Sequence, residues 1–521
     1  MSAGRRVLLA FLLAAALLVL WAAGVSADCP LYRVPTQRFG GDLNYAFGNI
    51  TSYDVASLNM SFYSDWSAAV TPLRPNGIEY LQLLAVKYGK WYFATSEANW
   101  SLLAQAVAAN PGSVWMIGNE PECPNAPGGG VNTPEQYAEV YHDLYWYIKG
   151  RDSTARIAIG GVVEPTPLRL QWLGYMLDYY QATYGVAMPI DIWTTHVLIL
   201  AEMRSCEGES VWGAGIPVGS QFAGLCRGAT YLIEDNWNFS NLRSLVVDFR
   251  KWLYEKGYRN KPLWITEYGV LMPHAPDDKI NLFMTQSFDY FLGPSSLHGV
   301  WGYPADGDRL VQRWAWNSIN DEPYWVDKDD VAHGFNGSLF VHTDPVYPGT
   351  LKTFGQNYKA YTNKLVASYG CISGTVQFDG RPAAPHLSYV SPLTVTLAPV
   401  GCPDRDVRAT TTDASGKFTV CSIYTGTYDI RVKSATTLAV ITNSVYLKSG
   451  TRVVNLGLLR SGDCNNDNQV DIKDFSILSA AYATSPGDAR YDARADLNGD
   501  GTIDVLDYSW LATRFGEHGA P

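Results

Sequence analysis

Two acidic loops, thirty-three residues apart, constrain the carboxy-terminal end of this chain more than any other feature. "DCNNDNQVDIKDFSILSAAY" begins at Asp463 and "DLNGDGTIDVLDYSWLATRF" at Asp496. Each copy places oxygen-bearing side chains at loop positions 1, 3, 5, 9 and 12, then runs into an apolar, helix-like stretch. Calcium takes six or more oxygen ligands, and a twelve-residue loop with acids or amides at alternate positions supplies them. The first loop offers Asp463, Asn465, Asp467, Asp471 and Asp474, with the backbone carbonyl of Gln469 at position 7. The second offers Asp496, Asn498, Asp500, Asp504 and Asp507, with the carbonyl of Thr502. Two Ca2+ ions are therefore expected. Position 12 is Asp rather than the Glu of an ordinary EF-hand, and no entering helix precedes either loop. Asn468 stands in the first copy where a loop glycine is usual, which predicts that this site is the weaker.

The same segment dominates the charge. From Ser461 onward ten Asp and one Glu face one Lys and three Arg, so seven of the chain's eleven net negative charges sit there. A balance of that sign argues against nucleic acid as a partner. At the other end, Arg5–Arg6 precede the apolar run Val7–Gly24, and "VSA" offers a small-residue cleavage site before Asp28. The pattern predicts an export signal over residues 1–27, with no membrane span after its removal and a secreted or surface-scaffold location; the apolar run is long enough that an uncleaved anchor is the alternative. Eight cysteines in an exported chain permit disulfides, and Cys206–Cys226 and Cys402–Cys421 are the locally plausible closures.

At 521 residues the chain needs several domains. Residues 28–370 hold 15 of the 17 tryptophans, and there "YLQLLAV", "SVWMIGN", "RIAIGGVV", "IDIWTTHVLI", "PLWITEYG" and "LVQRWAWNSI" are continuous apolar runs, as buried parallel strands should be. Amphipathic segments lie between them. The best marked is Pro134–Gly150, where Thr133 caps, Pro134 takes the first helical position and Gln136 completes a capping box. This alternation predicts a (β/α)8 TIM barrel. An open, doubly wound sheet is the alternative, and no G-x-G-x-x-G follows any of the strands to support its nucleotide-binding versions. From about Cys371 the texture changes to short β-branched strands between Gly, Asp and Ser turns, which predicts a small all-β sandwich over residues 371–460. It resembles carboxypeptidase-regulatory modules, and a spacer role is expected.

Two of the apolar runs end on an acid. "WMIGNEP" carries Glu120 and "LWITEYG" carries Glu267, and a barrel gathers its chemistry at the carboxyl ends of its strands. Glycoside hydrolysis needs two carboxyl groups, one to protonate the departing oxygen and one to attack the anomeric carbon, about 5–5.5 Å apart when configuration is retained. Glu164 and Asp65–Trp66 also sit at strand ends and would line the cleft. The glycine-bearing stretch Asn125–Asn132 is expected to be a mobile lip.

Both constellations carry a resemblance. "GNEP", a later strand ending in His196, and "KPLWITEYG" look like the motifs of the retaining clan A glycoside hydrolases, in the branch of β-1,3-glucanase-like enzymes. The resemblance implies Glu120 as acid/base, Glu267 as nucleophile, Asn119 as a donor to the sugar 2-hydroxyl and His196 beside the nucleophile. It also implies aromatic stacking on a β-linked polysaccharide, for which Trp301, Trp314 and Trp316 are the candidates, and no cofactor for catalysis. The acid would need apolar walls to stay protonated, and Trp115, Trp193 and Trp264 would supply them. A satisfied core histidine is the plain alternative for His196, and a glycan-binding barrel without catalysis is the alternative for the domain. The duplicated tail, residues 461–518, resembles a type I dockerin, which implies a calcium-dependent cohesin partner. Ile472–Lys473 and Val505–Leu506 occupy the selectivity positions, which implies an apolar contact patch.

Overall fold

The structure is a computed structural model that describes residues 32, 34–124, 129–206, 212–293, 299–322, 325–326, 328, 332–341, 349–366, 369–400 and 405–521. The predicted export signal lies outside them. Among the described residues no helix is long and apolar enough to cross a membrane. The chain divides into two compact units, Pro30–Leu365 and Val366–Pro521.

The larger unit is built on short parallel strands whose side chains are buried on both faces. These are β1 (Phe39–Leu43), β2 (Phe62–Ser64), β3 (Glu79–Tyr80), β4 (Gln82–Lys87), β7 (Val114–Ile117), β8 (Arg156–Ile159), β9 (Trp193–Val197), β10 (Leu263–Tyr268) and β11 (Arg313–Asn320), with β5 (Lys90–Phe93) and β6 (Ser96–Glu97) as an antiparallel flap on β4. One sheet runs β3-β2-β1-β11-β10-β9 and the other β6-β5-β4-β7-β8. Leu81 alone separates β3 from β4, and isolated parallel bridges join Ala158 to Ile192 and Val162 to Thr195. Phe62, Leu83, Met116, Ala158, Trp264 and Ala315, all from strands or their ends, form an inner cluster. Gly40 on β1 shows how tight that interior is: a Cβ there would meet the Phe62 ring at 2.4 Å.

The outer faces of the strands carry six helices: α1 (Trp100–Ala109), α2 (Pro134–Lys149), α3 (Pro167–Tyr184), α4 (Phe239–Glu255), α5 (Asp277–Leu292) and α6 (Thr353–Val366). In α2 the Thr133 hydroxyl accepts from the Gln136 amide, Pro134 opens the helix, and Tyr137, Tyr141, Leu144 and Ile148 give it a buried stripe. Strict strand–helix alternation fails at the start of the chain. The connection from β1 to β2 has only the 3-10 turns Tyr45–Phe47, Ile50–Ser52 and Val55–Leu58, and that from β2 to β3 only Pro75–Gly77.

The smaller unit has two sheets facing each other. Strands Lys417–Tyr424, Tyr369–Phe378 and Gly450–Leu459 make one; Asp406–Thr411, Pro392–Pro399, Gly426–Lys433 and Val440–Leu447 make the other. Ile372, Val376 and Phe378 of the first meet Val395, Leu397 and Ile430 of the second in a common core. One predicted disulfide is corrected here. Cys421 pairs with Cys371, because their strands are antiparallel neighbours with Ile372 opposite Val420. Cys402 lies outside the described residues, and Cys206–Cys226 forms within the larger unit. Two short helices, α7 (Ile472–Ala481) and α8 (Val505–Arg514), follow the acidic loops and share a core of Val470, Leu478, Leu497, Ile503 and Leu511, which Leu438 joins.

Candidate functional site

Three parallel strands deliver one charged side chain each to a common point. Glu267 is the penultimate residue of β10, His196 pairs with it in register from β9, and Glu120 follows the end of β7. His196 is fully buried between the two acids: its Nδ1 is 3.0 Å from Glu120 Oε1 and its Nε2 3.5 Å from Glu267 Oε1. One carboxylate oxygen from each glutamate and one ring nitrogen all lie within 4.8 Å of one another. Room for the imidazole comes from Gly161, just past β8, where a Cβ would press within 2.7 Å of the ring. Glu120 itself holds a left-handed φ of 40°, kept by its amide bonding to the Gly161 carbonyl at 2.9 Å and its own carbonyl taking the Gly130 amide at 2.9 Å.

The electrostatics follow from burial. Burial raises the Glu267 pKa, His196 pulls it down, Glu120 pushes it up again, and the result is about 7. For His196 burial acts downward, but Glu267 and the bond to Glu120 outweigh it, so the ring's pKa is raised. The Trp66 indole N–H donates to Glu267 Oε1, from a residue at a left-handed φ of 56°. Asp42, at the end of β1, is fully buried with neither carboxylate oxygen bonded; burial, and then the charge of Glu267, hold its pKa well above the carboxylate range.

Glu120, Glu267, Asn119, Trp66 and Asn317 open onto a cavity of about 880 Å³, whose floor and rim include Leu83, Tyr92 and Leu198. Asn119 is buried and its Oδ1 has no partner within the protein. The structure thus brings together Glu120, Glu267, His196 and Asn119.

The predicted aromatics go elsewhere. Side chains alternate along β11, and because Ala315 enters the inner cluster, Trp314 and Trp316 face outward. Trp314 packs on Phe39 and Phe291, and Trp316 donates its indole N–H to the Gly337 carbonyl. Trp301 sits on a 3-10 turn against α4 with the Lys251 ammonium 4.8 Å from its ring. None of the three lines the cavity. Trp115 and Trp193 face the helices and Trp264 lies in the inner cluster, so the walls around the acids are Trp66, Leu83 and Leu198 instead. Trp66 lines the cleft as its place at a strand end in "FYSDW" predicts, whereas Asp42 in "FGGDL" is a site residue that the sequence reading missed. Asp65 turns away to accept from the Tyr80 hydroxyl at 2.5 Å.

Glu164 belongs to a second, sealed group rather than to the cleft. It is fully buried, accepts from the Leu200 amide at 2.9 Å, and burial pushes its pKa to about 8. Nearby Arg169 bonds Glu122 at 2.7 Å and also Glu202, all three fully buried. Of the predicted lip, Asn125–Gly128 lies outside the described residues. Its far end is pinned: Asn132 is fully buried and donates to the carbonyls of Val86 and Pro121.

Both acidic loops close on themselves. Asp463 accepts from the amides of Asp467 and Asn468, and Asp474 from those of Asn465 and Asp471. In the second copy Asp496 accepts from Gly499, Asp500 and Gly501, and Asp507 from Leu497, Asn498 and Asp504. Asp471 and Asp504 cap α7 and α8. Burial raises the pKa of both Asp463 and Asp507, a cost that a bound dication offsets. The donors are oxygens only, as a hard cation requires.

Residues 461–516 match the dockerin type I domain family. No curated protein matches the chain. Among solved structures, the chain is similar to a GH128 (subgroup II) endo-β-1,3-glucanase from Sorangium cellulosum, with 15% identity over 62% of this chain and 98% of that one at a TM-score of 0.37. It is also similar to an endo-β-1,4-mannanase from Thermotoga petrophila, with 10% identity over 80% and 98% and a TM-score of 0.33. A mutant type II cohesin–X–dockerin complex from Acetivibrio cellulolyticus matches at 23% identity over 29% of this chain and 97% of that one, with a TM-score of 0.25.

Proposed function

We propose that the larger unit is a (β/α)8 barrel and a glycoside hydrolase that cleaves β-linked polysaccharide with retention of configuration. One observation carries this reading: Glu120 and Glu267, 147 positions apart, meet at strand ends with carboxylate oxygens within 4.8 Å, over a cavity of about 880 Å³. That closeness favours direct attack by a carboxylate over the wider setting of an inverting enzyme, which holds a water between its two acids. Glu267 attacks the anomeric carbon while Glu120 protonates the glycosidic oxygen; the bond to the leaving sugar breaks and a glycosyl ester forms. Glu120 then takes a proton from water, which displaces Glu267 and restores both groups.

The surroundings serve those steps. The Trp66 N–H steadies the Glu267 carboxylate, His196 sets both acids in register, and Asn119, with its amide oxygen unsatisfied, is poised for a sugar hydroxyl. The same trio is also close enough to share a metal ion. His196 speaks against that use, since both ring nitrogens already face carboxylates.

The dockerin segment, in this reading, binds two calcium ions and tethers the secreted enzyme to a cohesin. Incubation with β-glucans, mannan, xylan and galactan, read by reducing ends and by the anomer first released, tests the chemistry. Hydrolysis with retention is expected, falling at least about thousandfold in Glu120→Gln and Glu267→Gln. Binding without hydrolysis would instead make this a glycan-binding domain, and activity that survives either change would overturn the roles of Glu120 and Glu267.

A further inference from the structure

We propose that Lys433 of the β-sandwich is a built-in counter-cation for the first calcium loop, so that loop one is the weak site and loop two the strong one. The inference rests on the calcium reading of the loops and is independent of the chemistry at Glu120 and Glu267.

Lys433 closes the strand Gly426–Lys433 and is 9% exposed. Its ammonium lies 2.7 Å from Asp463 Oδ2, the first acid of the loop, and donates to Asn466 Oδ1 at 2.6 Å and to the Ser434 carbonyl at 3.2 Å. The loop is gripped a second time at Asn468, whose Oδ1 accepts from the Ala439 amide at 2.9 Å and whose Nδ2 donates to the Ala520 carbonyl at 3.0 Å. These contacts coincide with the places where the two copies differ. Positions 4 and 6 are Asn466 and Asn468 in loop one, but Gly499 and Gly501 in loop two. Both asparagines hold left-handed backbones, at φ 66° and 69°, where glycine would be unstrained. Their side chains are what glycine could not supply: partners for the sandwich.

Loop two shows the arrangement without a direct ion pair: the half-buried Arg381 guanidinium of the sandwich feels the charge of Asp496 but does not pair with it. The corresponding Oδ2 of Asp496 accepts from the Gly501 amide, as Asp463 does from Asn468, but its remaining donor is the neutral hydroxyl of Tyr491 at 3.3 Å. Each loop has four carboxylates. The first meets two ammonium groups, since Lys473 also reaches Asp467 at 3.2 Å and Asp471 at 3.7 Å. Among the described residues no Lys or Arg nitrogen is within ion-pair distance of Asp496, Asp500, Asp504 or Asp507. A dication entering loop one therefore faces a fixed, nearly buried like charge, and its binding is weakened. Lys473 is exposed and solvent screens it; Lys433 is not screened in this way.

Calcium titration of the full chain by calorimetry, after stripping with chelator, tests the assignment. Two unequal sites are expected, the tighter abolished by Asp500→Ala and the weaker by Asp467→Ala. Lys433→Met and Lys433→Gln should tighten the weaker site roughly tenfold or more, whereas Lys433→Arg should leave the gap in place. Glutamine keeps a donor for Asn466, so it separates charge from packing if the methionine variant folds poorly. Equal sites in the wild type, or a weaker site that stays put or loosens in both neutral variants, would overturn the role of Lys433. A chain that binds no calcium at all would overturn the loop reading and this inference together, and would leave the glycosidase reading untouched.

Discussion

Glu267 is asked to do two things that oppose each other. Burial and the nearby Glu120 raise its pKa to about 7, while the proposed attack needs it ionised. An acid whose folded pKa exceeds its unfolded value stabilises the fold below the unfolded pKa and loses that contribution as pH climbs through the folded one. Glu267→Gln should therefore raise Tm relative to the wild type by a few degrees at about pH 8 and leave it unchanged near pH 4. Melting curves of an inactive but stabilised variant would show this; equal Tm at both pH values would contradict it. Trp66 offers the complementary test. Its indole N–H lowers the pKa of Glu267, so Trp66→Phe should move the acid limb of kcat/KM above about pH 7 and cost more activity at pH 6 than at pH 8. A limb that stays in place would reduce Trp66 to a stacking surface. At this scale the two glutamates were readable because each closes an apolar run with a short motif. Asp42 was not, and Trp66 was readable only as a strand-end residue on the cleft, since β1 and β2 are brief and nothing in "FGGDL" or "FYSDW" reveals which acid a side chain meets.

Elements were legible where their pattern was long. The six apolar runs became strands and Thr133–Gly150 became a capped helix, because burial on both faces and a capping box are written in consecutive residues. Alternation within a strand carried less, since it says which residues share a face but not which face is inside. Trp314 and Trp316 share one on β11, and only the packing of Ala315 against Phe62 and Trp264 fixes it as the helix side. Pairing across the chain is invisible for the same reason: Cys421 joins Cys371, fifty positions away, through a strand register that the intervening residues set. Strand β1 is tightly packed at its first glycine. Gly40 is a strand residue against which the Phe62 ring closes the inner cluster. Gly40→Ala must displace that ring, at a cost of about 1–3 kcal/mol. Denaturant unfolding of the variant should give an unchanged m with a lower midpoint, and an unchanged midpoint would mean the interior is looser than the packing indicates.

Across the whole molecule, the two units should respond to calcium separately, and the boundary of that response is itself informative. The sandwich and the acidic loops are one compact unit, joined by Arg514 to Asp379 at 2.6 Å, Arg460 to Glu517 at 3.0 Å, and a Trp510 ring that would stand 2.9 Å from a Cβ at Gly380. The spacer role read from the sequence misses this, because each contact joins residues far apart in order. Ions that bind only the folded state stabilise it by mass action, about 4.1 kcal/mol per site at a thousand times Kd. Chelation should accordingly lower the calorimetric transition of Val366–Pro521 by several degrees or more, sandwich included, and leave that of Pro30–Leu365 in place. Arg514→Ala should narrow the effect, since a sandwich no longer tied to α8 feels less of the loops' loss. If chelator melts the loops while the sandwich transition stays fixed, the contacts at Asp379 and Gly380 transmit nothing. If it also lowers the larger unit's transition, calcium acts on residues other than the two loops.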